Sequence, residues 1–213
     1  GPAAMHYSMK RALMGMGPSG FPFETYIGEI FKAKGYTTAV GQMLRGKCAT
    51  HEVDVLAKKG DEVRGIEMKF HNNLAMKSDL KVVLYVHARI QDLQKSGAIT
   101  TGLLLTNTKF TSDAISYAEC AGVPLISWGY PEKGNLNDLI RETKTYPITG
   151  LTTLTKSEKD RLLNNKVVLC NTLLTDTSSL QNVGLRGSQV QKVITESEML
   201  CSPGGEFDLH YSE

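Results

Sequence analysis

Two strings of sequence decide the fold: His51-Glu52-Val53-Asp54-Val55 and Gly65-Ile66-Glu67-Met68-Lys69-Phe70. Each string alternates polar and apolar residues, and Gly60-Asp61 lies midway between them. This pattern predicts a β-hairpin closed by a two-residue turn. If Gly60 and Asp61 form that turn, residues whose numbers sum to 121 face each other, and Asp54 pairs with Glu67.

The predicted hairpin has one charged face and one apolar face, because side chains alternate along a strand. Opposed carboxylates destabilise a sheet unless something binds between them, and a divalent cation with oxygen ligands is the obvious candidate. The alternative is a solvated face with an ordinary cross-strand ion pair between Glu52 and Lys69. The charged face contains Glu52, Asp54, Glu67 and Lys69, and the expected core face contains Val53, Val55, Ile66, Met68 and Phe70.

Composition is that of a globular protein. The chain has 213 residues, of which 41% are hydrophobic and 22% charged, enough for one large domain or for one domain plus a small appendage. The net charge of +2 excludes a molecule that is basic overall, so any contact with phosphates must come from a local patch. No apolar run approaches the roughly 18 residues of a membrane span, and we expect no membrane partner.

The cysteines show no C-x-x-C spacing and no zinc-type pairing with histidines. The sequence therefore predicts neither a metal knuckle nor a disulfide framework, and it favours a reducing, cytoplasmic setting. The four cysteines are Cys48, Cys120, Cys170 and Cys201.

A helix is predicted over 21–34, where apolar residues recur at helical spacing. Glu24 lies at the edge of the apolar stripe, whereas Glu29 lies on the opposite side. We therefore expect Glu24, rather than Glu29, to approach the hairpin. The stripe comprises Phe23, Ile27, Ile30 and Phe31.

The remaining pattern predicts an α/β fold with a mixed sheet, an antiparallel hairpin plus parallel strands, flanked by helices. Composition changes near Tyr146-Pro147, and leucine-rich helical patterns follow. We expect a tag scar and linker helix over 1–20, the α/β domain over 21–146, a small all-α domain over 147–201 and a loosely ordered tail over 202–213.

The order of these features resembles the PD-(D/E)XK nuclease superfamily, and more closely its Mrr-like restriction endonuclease branch. The resemblance covers roughly 21–128. A lone E-x-K is a weak motif, but the full set is more specific. The matching strings are Phe23-Glu24, Gly35-Tyr36, Glu52-Val53-Asp54-Val55, Ile66-Glu67-Met68-Lys69-Phe70, Thr106-Asn107-Thr108-Lys109-Phe110-Thr111 and Ala121-Gly122-Val123-Pro124-Leu125-Ile126.

The resemblance implies a restriction-endonuclease-like core and a metal-dependent DNA endonuclease. Asp54, Glu67 and the main-chain carbonyl of Met68 would hold Mg²⁺, or Mn²⁺ in its place. Lys69 would orient or deprotonate the attacking water, or neutralise charge in the transition state. Glu24 would bind metal through water or complete a second site.

Two other functions stay open at this stage. One is a non-cleaving DNA-binding module on a nuclease fold; the other is a nuclease similar to Holliday-junction resolvases, which requires a homodimer. The string 180–194 resembles a helix-hairpin-helix, which offers backbone N–H groups to phosphate, but a helical packing or dimerisation unit explains it equally. Related nucleases often follow a regulatory domain, so an upstream domain outside this sequence is also expected.

Some polar residues allow both a structural and a functional interpretation. We expect His51 to be a packed structural residue and His87 and Gln91 to be satisfied core polar groups. For the other positions, contact with DNA and a purely structural or solvated role are equally compatible with the pattern. Those positions are His71 and Asn72 after the second hairpin strand, and the stripe Lys77, Lys81, Tyr85 and Arg89.

Overall fold

The computed structural model describes residues 2–202 and 204–205, with side chains from Ser8 onward. Most of the predicted tail, 202–213, lies outside the described residues. The helices are α1 Pro2–Met14, α2 Phe21–Ala33, α3 Leu80–Lys95, α4 Ser112–Ala121, α5 Leu136–Thr143, α6 Lys156–Asn164, α7 Cys170–Thr175, α8 Ser178–Asn182 and α9 Ser188–Cys201, with a 3₁₀ turn at Ile148–Gly150. The strands are β1 Thr37–Arg45, β2 Thr50–Lys59, β3 Glu62–Lys69, β4 Lys77–Ser78, β5 Thr101–Thr106, β6 Lys109–Phe110 and β7 Leu125–Ile126.

The chain divides into two compact units. One comprises 27–139, and the other joins 1–26 to 140–213. The sequence-based division instead separates 1–20 and 147–201 from the α/β segment. The predicted boundaries, 1–20, 21–146 and 147–201, therefore stay a prediction.

The 27–139 unit is built on a five-stranded mixed sheet in the order β1-β2-β3-β5-β7. The first three strands are antiparallel, and β3, β5 and β7 are parallel. This arrangement confirms the predicted mixed sheet flanked by helices. A separate two-residue ladder pairs β4 with β6.

The hairpin register is confirmed. Cα partners run from Lys59–Glu62 to Val55–Ile66, and their numbers sum to 121 throughout. Gly60 adopts φ +58°, the left-handed conformation that a tight hairpin turn requires and that glycine reaches without strain. Asp54 and Glu67 are the next residues along the two strands beyond that ladder.

The predicted alternation of side chains between the two faces of the hairpin is only partly correct. Val53 packs in the hydrophobic cluster that contains Val83 and Val86 of α3, and so does Leu56, three residues further along β2. Two residues an odd number apart along β2 therefore pack in one cluster, whereas strict alternation would place them on opposite faces. The sheet face that carries Glu67 is consequently covered by α3 rather than fully solvated.

Helix α3 begins after Asp79, which caps its first turn. The Asp79 side chain accepts a hydrogen bond from the Val82 N–H at 3.2 Å, which satisfies one of the free donors of the first turn. The helix then runs to Lys95. Lys77 lies on β4, before the helix, so its inclusion in the predicted helical stripe is wrong.

The other unit contains α1, the first part of α2, the second half of α5 and the helices from α6 onward. Helix α1 packs through fully buried residues, among them Met9 and Leu13, and the Thr149 hydroxyl donates to the Ala12 carbonyl at 2.5 Å. The N-terminal helix thus contributes to a core rather than serving only as a linker. The described part of 147–201 is helical, as predicted, apart from a single β-bridge between Pro147 and Leu169.

A disulfide joins Cys170, at the start of α7, to Cys201, at the end of α9. The expectation of no disulfide is therefore wrong. The two cysteines are 31 residues apart in sequence, and only the packing of α7 against α9 brings them together. Cys48 and Cys120 are free and exposed. Among the described residues, no helix is both long and apolar enough to cross a membrane.

Candidate active site

Asp54, Glu67 and Lys69 line one cleft between the hairpin and α3, with a volume of about 420 Å³. Met68 contributes to the same lining. The parallel pairing of β3 with β5 sets Glu67 beside Leu104, which forms part of the apolar floor. The structure therefore brings together the residues that the hairpin register predicts to be neighbours.

Asp54 is half-buried and is held by the opposite strand. Its Oδ2 accepts a hydrogen bond from the Met68 N–H at 2.8 Å. This bond fixes the carboxylate across the end of the hairpin, beyond the regular ladder. It also leaves the second carboxylate oxygen, Oδ1, available for a ligand in the cleft.

Glu67 is buried, with 6% of its surface exposed, and its Oε1 lies 3.5 Å from Nη2 of Arg89. A buried carboxylate needs a compensating charge, because burial removes the water that would otherwise stabilise it. Arg89 supplies that charge from the third turn of α3. Arg89 also donates to the Glu52 carbonyl, so its guanidinium bridges the helix and the hairpin.

Lys69 is exposed at the end of β3, and its backbone is held by the neighbouring strand. The Thr106 hydroxyl donates to the Lys69 carbonyl at 2.7 Å. Asn107 accepts from the His71 N–H at 2.8 Å and donates to the His71 carbonyl at 2.9 Å. The Thr106-Asn107 part of the downstream motif thus fixes the path of the chain that carries Lys69.

Three side chains of the predicted basic stripe, Lys81, Tyr85 and Arg89, line the same cleft. They lie on α3 at spacings of four, so successive members share one edge of the helix. Lys81 and Arg89, together with Lys69, make the rim of the cleft cationic. The stripe is thus a rim of the candidate site rather than a remote solvated face.

Glu24 lies in the first turn of α2, within the unit that joins 1–26 to 140–213. The carboxylate cleft belongs to the other unit. The proposed participation of Glu24, in preference to Glu29, therefore stays a prediction.

The histidines have structural partners. His51 Nε2 lies 2.8 Å from Asp92 Oδ2, in agreement with the expected structural role. His71 is buried, and its Nε2 lies 2.9 Å from the Ser78 hydroxyl. Burial, with a smaller effect from the charge of Lys69, lowers the pKa of His71 below 6.5. His87 Nδ1 lies 2.8 Å from the Tyr117 hydroxyl.

Asp92 has a structural role that the sequence does not reveal. Its carboxylate accepts from the Cys48 N–H at 2.8 Å and from the Ala49 N–H at 3.1 Å, and it contacts His51. The hydrogen bond with His51, followed by that from the Cys48 N–H, holds the pKa of Asp92 well below 3.8. Asp92 thereby ties the β1–β2 turn to α3.

The donor set of the cleft suits a hard divalent cation. Asp54 and Glu67 would provide carboxylate oxygens, and the Met68 main chain would provide a carbonyl. Mg²⁺ commonly binds one or two carboxylates and completes its coordination with water and phosphate oxygens. Among the described residues, neither this cleft nor any other region contains a group of three or more His, Cys, Asp or Glu side chains that could hold a metal ion.

The protein has a mixed sheet in which an antiparallel hairpin is continued by parallel strands, and one cleft contains two carboxylates and a lysine. These features define the restriction-endonuclease-like class of proteins. The chain belongs to the restriction endonuclease family whose model matches residues 17–129. A second family model, AF1548-like, C-terminal, matches residues 146–201.

The similar proteins include an uncharacterised protein from Archaeoglobus fulgidus. It is 34% identical over 170 residues, which cover 79% of this chain and 96% of the relative. The crystal structure of AF1548, a protein of unknown function, superposes with a TM-score of 0.72 at 31% identity, covering 85% of this chain and 97% of that one. The DNA modification-dependent restriction endonuclease AspBHI matches with a TM-score of 0.44 at 15% identity, over 76% of this chain and 39% of that one.

Proposed function

We propose that the protein is a divalent-metal-dependent endodeoxyribonuclease that hydrolyses phosphodiester bonds in DNA. The observation that carries this proposal is the convergence in one cleft of Asp54, Glu67 and Lys69 with a cationic rim. Membership of a restriction endonuclease family supports the same reaction class.

Asp54, Glu67 and the Met68 carbonyl would hold Mg²⁺ or Mn²⁺. When bound, such a cation supplies charge for the scissile phosphate and lowers the pKa of a coordinated water. The protein prepares this site by orienting Asp54 through the Met68 N–H and by burying Glu67. Both carboxylates are thereby placed before any ligand arrives.

Lys69 would act on the reacting water and on the phosphate. Lys69 lines the same cleft two residues beyond Glu67, and its side chain is exposed. There it can hold the water by a hydrogen bond and offset the negative charge that grows on the phosphate in the transition state. Its backbone, held by Thr106, limits where the ammonium can reach.

The rim of the cleft would bind the phosphate backbone. Since the net charge is only +2, DNA affinity must depend on locally grouped cations. Lys69, Lys81 and Arg89 form such a group around the carboxylates. We expect affinity for DNA to fall steeply with salt concentration, as it does when phosphate contacts dominate.

The test compares Lys69→Ala with Asp54→Ala in a plasmid-nicking assay beside calorimetric titration with Mn²⁺. Lys69→Ala should retain metal affinity but cut slowly, because the lost interaction belongs mainly to the transition state. Asp54→Ala should weaken metal binding itself. Lys58→Ala is the matched control, since Lys58 is an exposed hairpin lysine outside the cleft and should cut at the wild-type rate.

Two outcomes would contradict the proposal. A Lys69→Ala protein that cuts as fast as the wild type removes Lys69 from the mechanism. A wild-type protein that binds DNA but nicks nothing in either metal favours the non-cleaving DNA-binding module. The Glu67–Arg89 ion pair is the observation that favours this second candidate, because it already neutralises one of the two carboxylates.

A further inference from the structure

Tyr85 presents an aromatic ring to solvent at the mouth of the cleft. It is 63% exposed, although large hydrophobic side chains are usually buried. Besides the carboxylate cleft, Tyr85 lines a second cleft of about 440 Å³ between α3 and the β1–β2 turn. Arg89 lines both clefts as well. Tyr85 and Arg89 therefore form a ridge between the two clefts, which we call the Tyr85–Arg89 ridge.

The ridge is held in place by its surroundings. The Arg89 guanidinium lies 5.4 Å from the centre of the Tyr85 ring, within the range of a cation–π contact. The same guanidinium is anchored by Glu67 and by the Glu52 carbonyl. An aromatic ring fixed against an anchored cation costs little further conformational entropy when a flat ligand stacks on it.

The second cleft has a fixed wall and a cationic end. The wall is the β1–β2 turn, which Asp92 holds through His51 and two backbone N–H groups, so this carboxylate is already engaged. At the other end of the lining is Lys95. Cations thus flank the ring on both sides along α3, with Lys81 one turn before it and Lys95 beyond Arg89.

An exposed π-face flanked by cations matches an unpaired nucleotide. Nucleobases stack on aromatic rings and on arginine guanidinium planes, while lysines and arginines bind the adjoining phosphates. In a regular duplex the faces of the bases are covered by their neighbours. A ridge of this kind therefore favours DNA in which at least one base is unstacked.

We propose that the Tyr85–Arg89 ridge stacks an unpaired nucleobase beside the carboxylate cleft, so that the preferred DNA contains single-stranded nucleotides next to the cleavage point. This inference rests on the proposed function, because it names the substrate form for the same site. It assigns the second cleft to the nucleotide that follows the stacked base.

The experiment measures binding without divalent metal, in EDTA, so that it does not depend on cleavage. A fluorescent oligonucleotide with a central 2-aminopurine is titrated as a single strand and as a duplex of the same sequence. The wild type should bind the single strand more tightly and change the 2-aminopurine emission on binding. Tyr85→Ala should weaken single-strand binding about 5- to 150-fold, the loss that corresponds to one stacked base.

Two further variants separate stacking from a general loss of structure. Tyr85→Phe retains the ring and should bind the single strand within about twofold of the wild type. Leu84→Ala removes the neighbouring exposed apolar side chain, which lines neither cleft, and should leave binding unchanged. A Tyr85→Ala protein that binds as tightly as the wild type overturns the inference.

Preference of the wild type for the duplex also overturns the inference, while leaving the proposed nuclease function standing. Absence of binding to either DNA form in EDTA overturns the inference, and the plasmid-nicking assay in Mg²⁺ or Mn²⁺ then decides separately whether the proposed function stands. Single-strand binding that depends on Tyr85, combined with no nicking in either metal, supports the ridge and refutes the proposed cleavage.

Discussion

Arg89→Ala tests how the buried carboxylate of Glu67 is maintained. The substitution removes the cation that lies 3.5 Å from Glu67 Oε1. Removing one member of a buried ion pair costs roughly 3–5 kcal/mol, because the remaining charge loses its partner without regaining water. This pair borders an open cleft, with side chains 18% and 9% exposed, so water recovers part of the loss. We expect a loss of about 2 kcal/mol in the free energy of unfolding, below the fully buried range.

Thermal and urea unfolding would measure the effect. For a chain of this size, about 2 kcal/mol corresponds to a fall in Tm of roughly 4–8 °C. Lys81→Ala is the matched control, because Lys81 is an exposed cation in the same cleft and its loss should change stability by less than about 0.5 kcal/mol. The double variant Glu67→Gln/Arg89→Ala should recover much of the lost stability, since a neutral amide needs no cation. Equal Tm values for Arg89→Ala and the wild type, or no recovery in the double variant, would refute the reasoning.

Three further predictions concern the framework. Reducing the disulfide, or replacing Cys170 and Cys201 by serine, should lower the unfolding free energy by roughly 3–4 kcal/mol in the chain-entropy picture for a loop of this length, measured by urea unfolding with and without reductant. The lowered pKa of Asp92 contributes stability that is present above about pH 4 and is lost as the pH falls below it. Asp92→Asn should therefore reduce the fall in Tm at acid pH. An unchanged fall in Tm at acid pH would contradict this. Gly102→Ala would place a Cβ 2.4 Å from an isoleucine of α3 and should cost about 1–3 kcal/mol, whereas Gly129→Ala meets nothing within 4 Å and should be close to neutral in the same assay.

The hairpin is the part of the fold that local sequence could predict. Its turn chemistry and alternation specify the register from Val55 to Ile66 because the two strands are close in sequence. The end of the cleft is harder to predict, since Val53 and Leu56 pack in one cluster although an odd number of residues separates them. Period-two reasoning assumes a regular strand and assigns these two side chains to opposite faces.

The sequence alone predicts which strands carry the candidate residues, but it does not predict which helix packs against them. A helical stripe identifies Arg89 as a cation on one edge of α3, yet only tertiary packing shows that this edge meets Glu67. The same holds for Asp92, which reads as an ordinary surface residue until the β1–β2 turn folds against it. Long-range pairings of this kind have no signature in a single sequence, and the 31-residue separation of the bridged cysteines has none either.

The hydrogen bonds from Thr106 and Asn107 to the end of β3 have a consequence for folding. They join residues 36 and 37 positions apart, across the whole α3 crossover. The hairpin can form from local contacts, but contacts of this separation form only after a long loop has closed. We therefore expect the backbone at Lys69 to reach its final path late, once β5 has joined the sheet. A newly synthesised or partly unfolded chain would then have Asp54 and Glu67 in the hairpin while the backbone at Lys69 is not yet ordered. The proposed catalytic arrangement would therefore form only when the fold is complete.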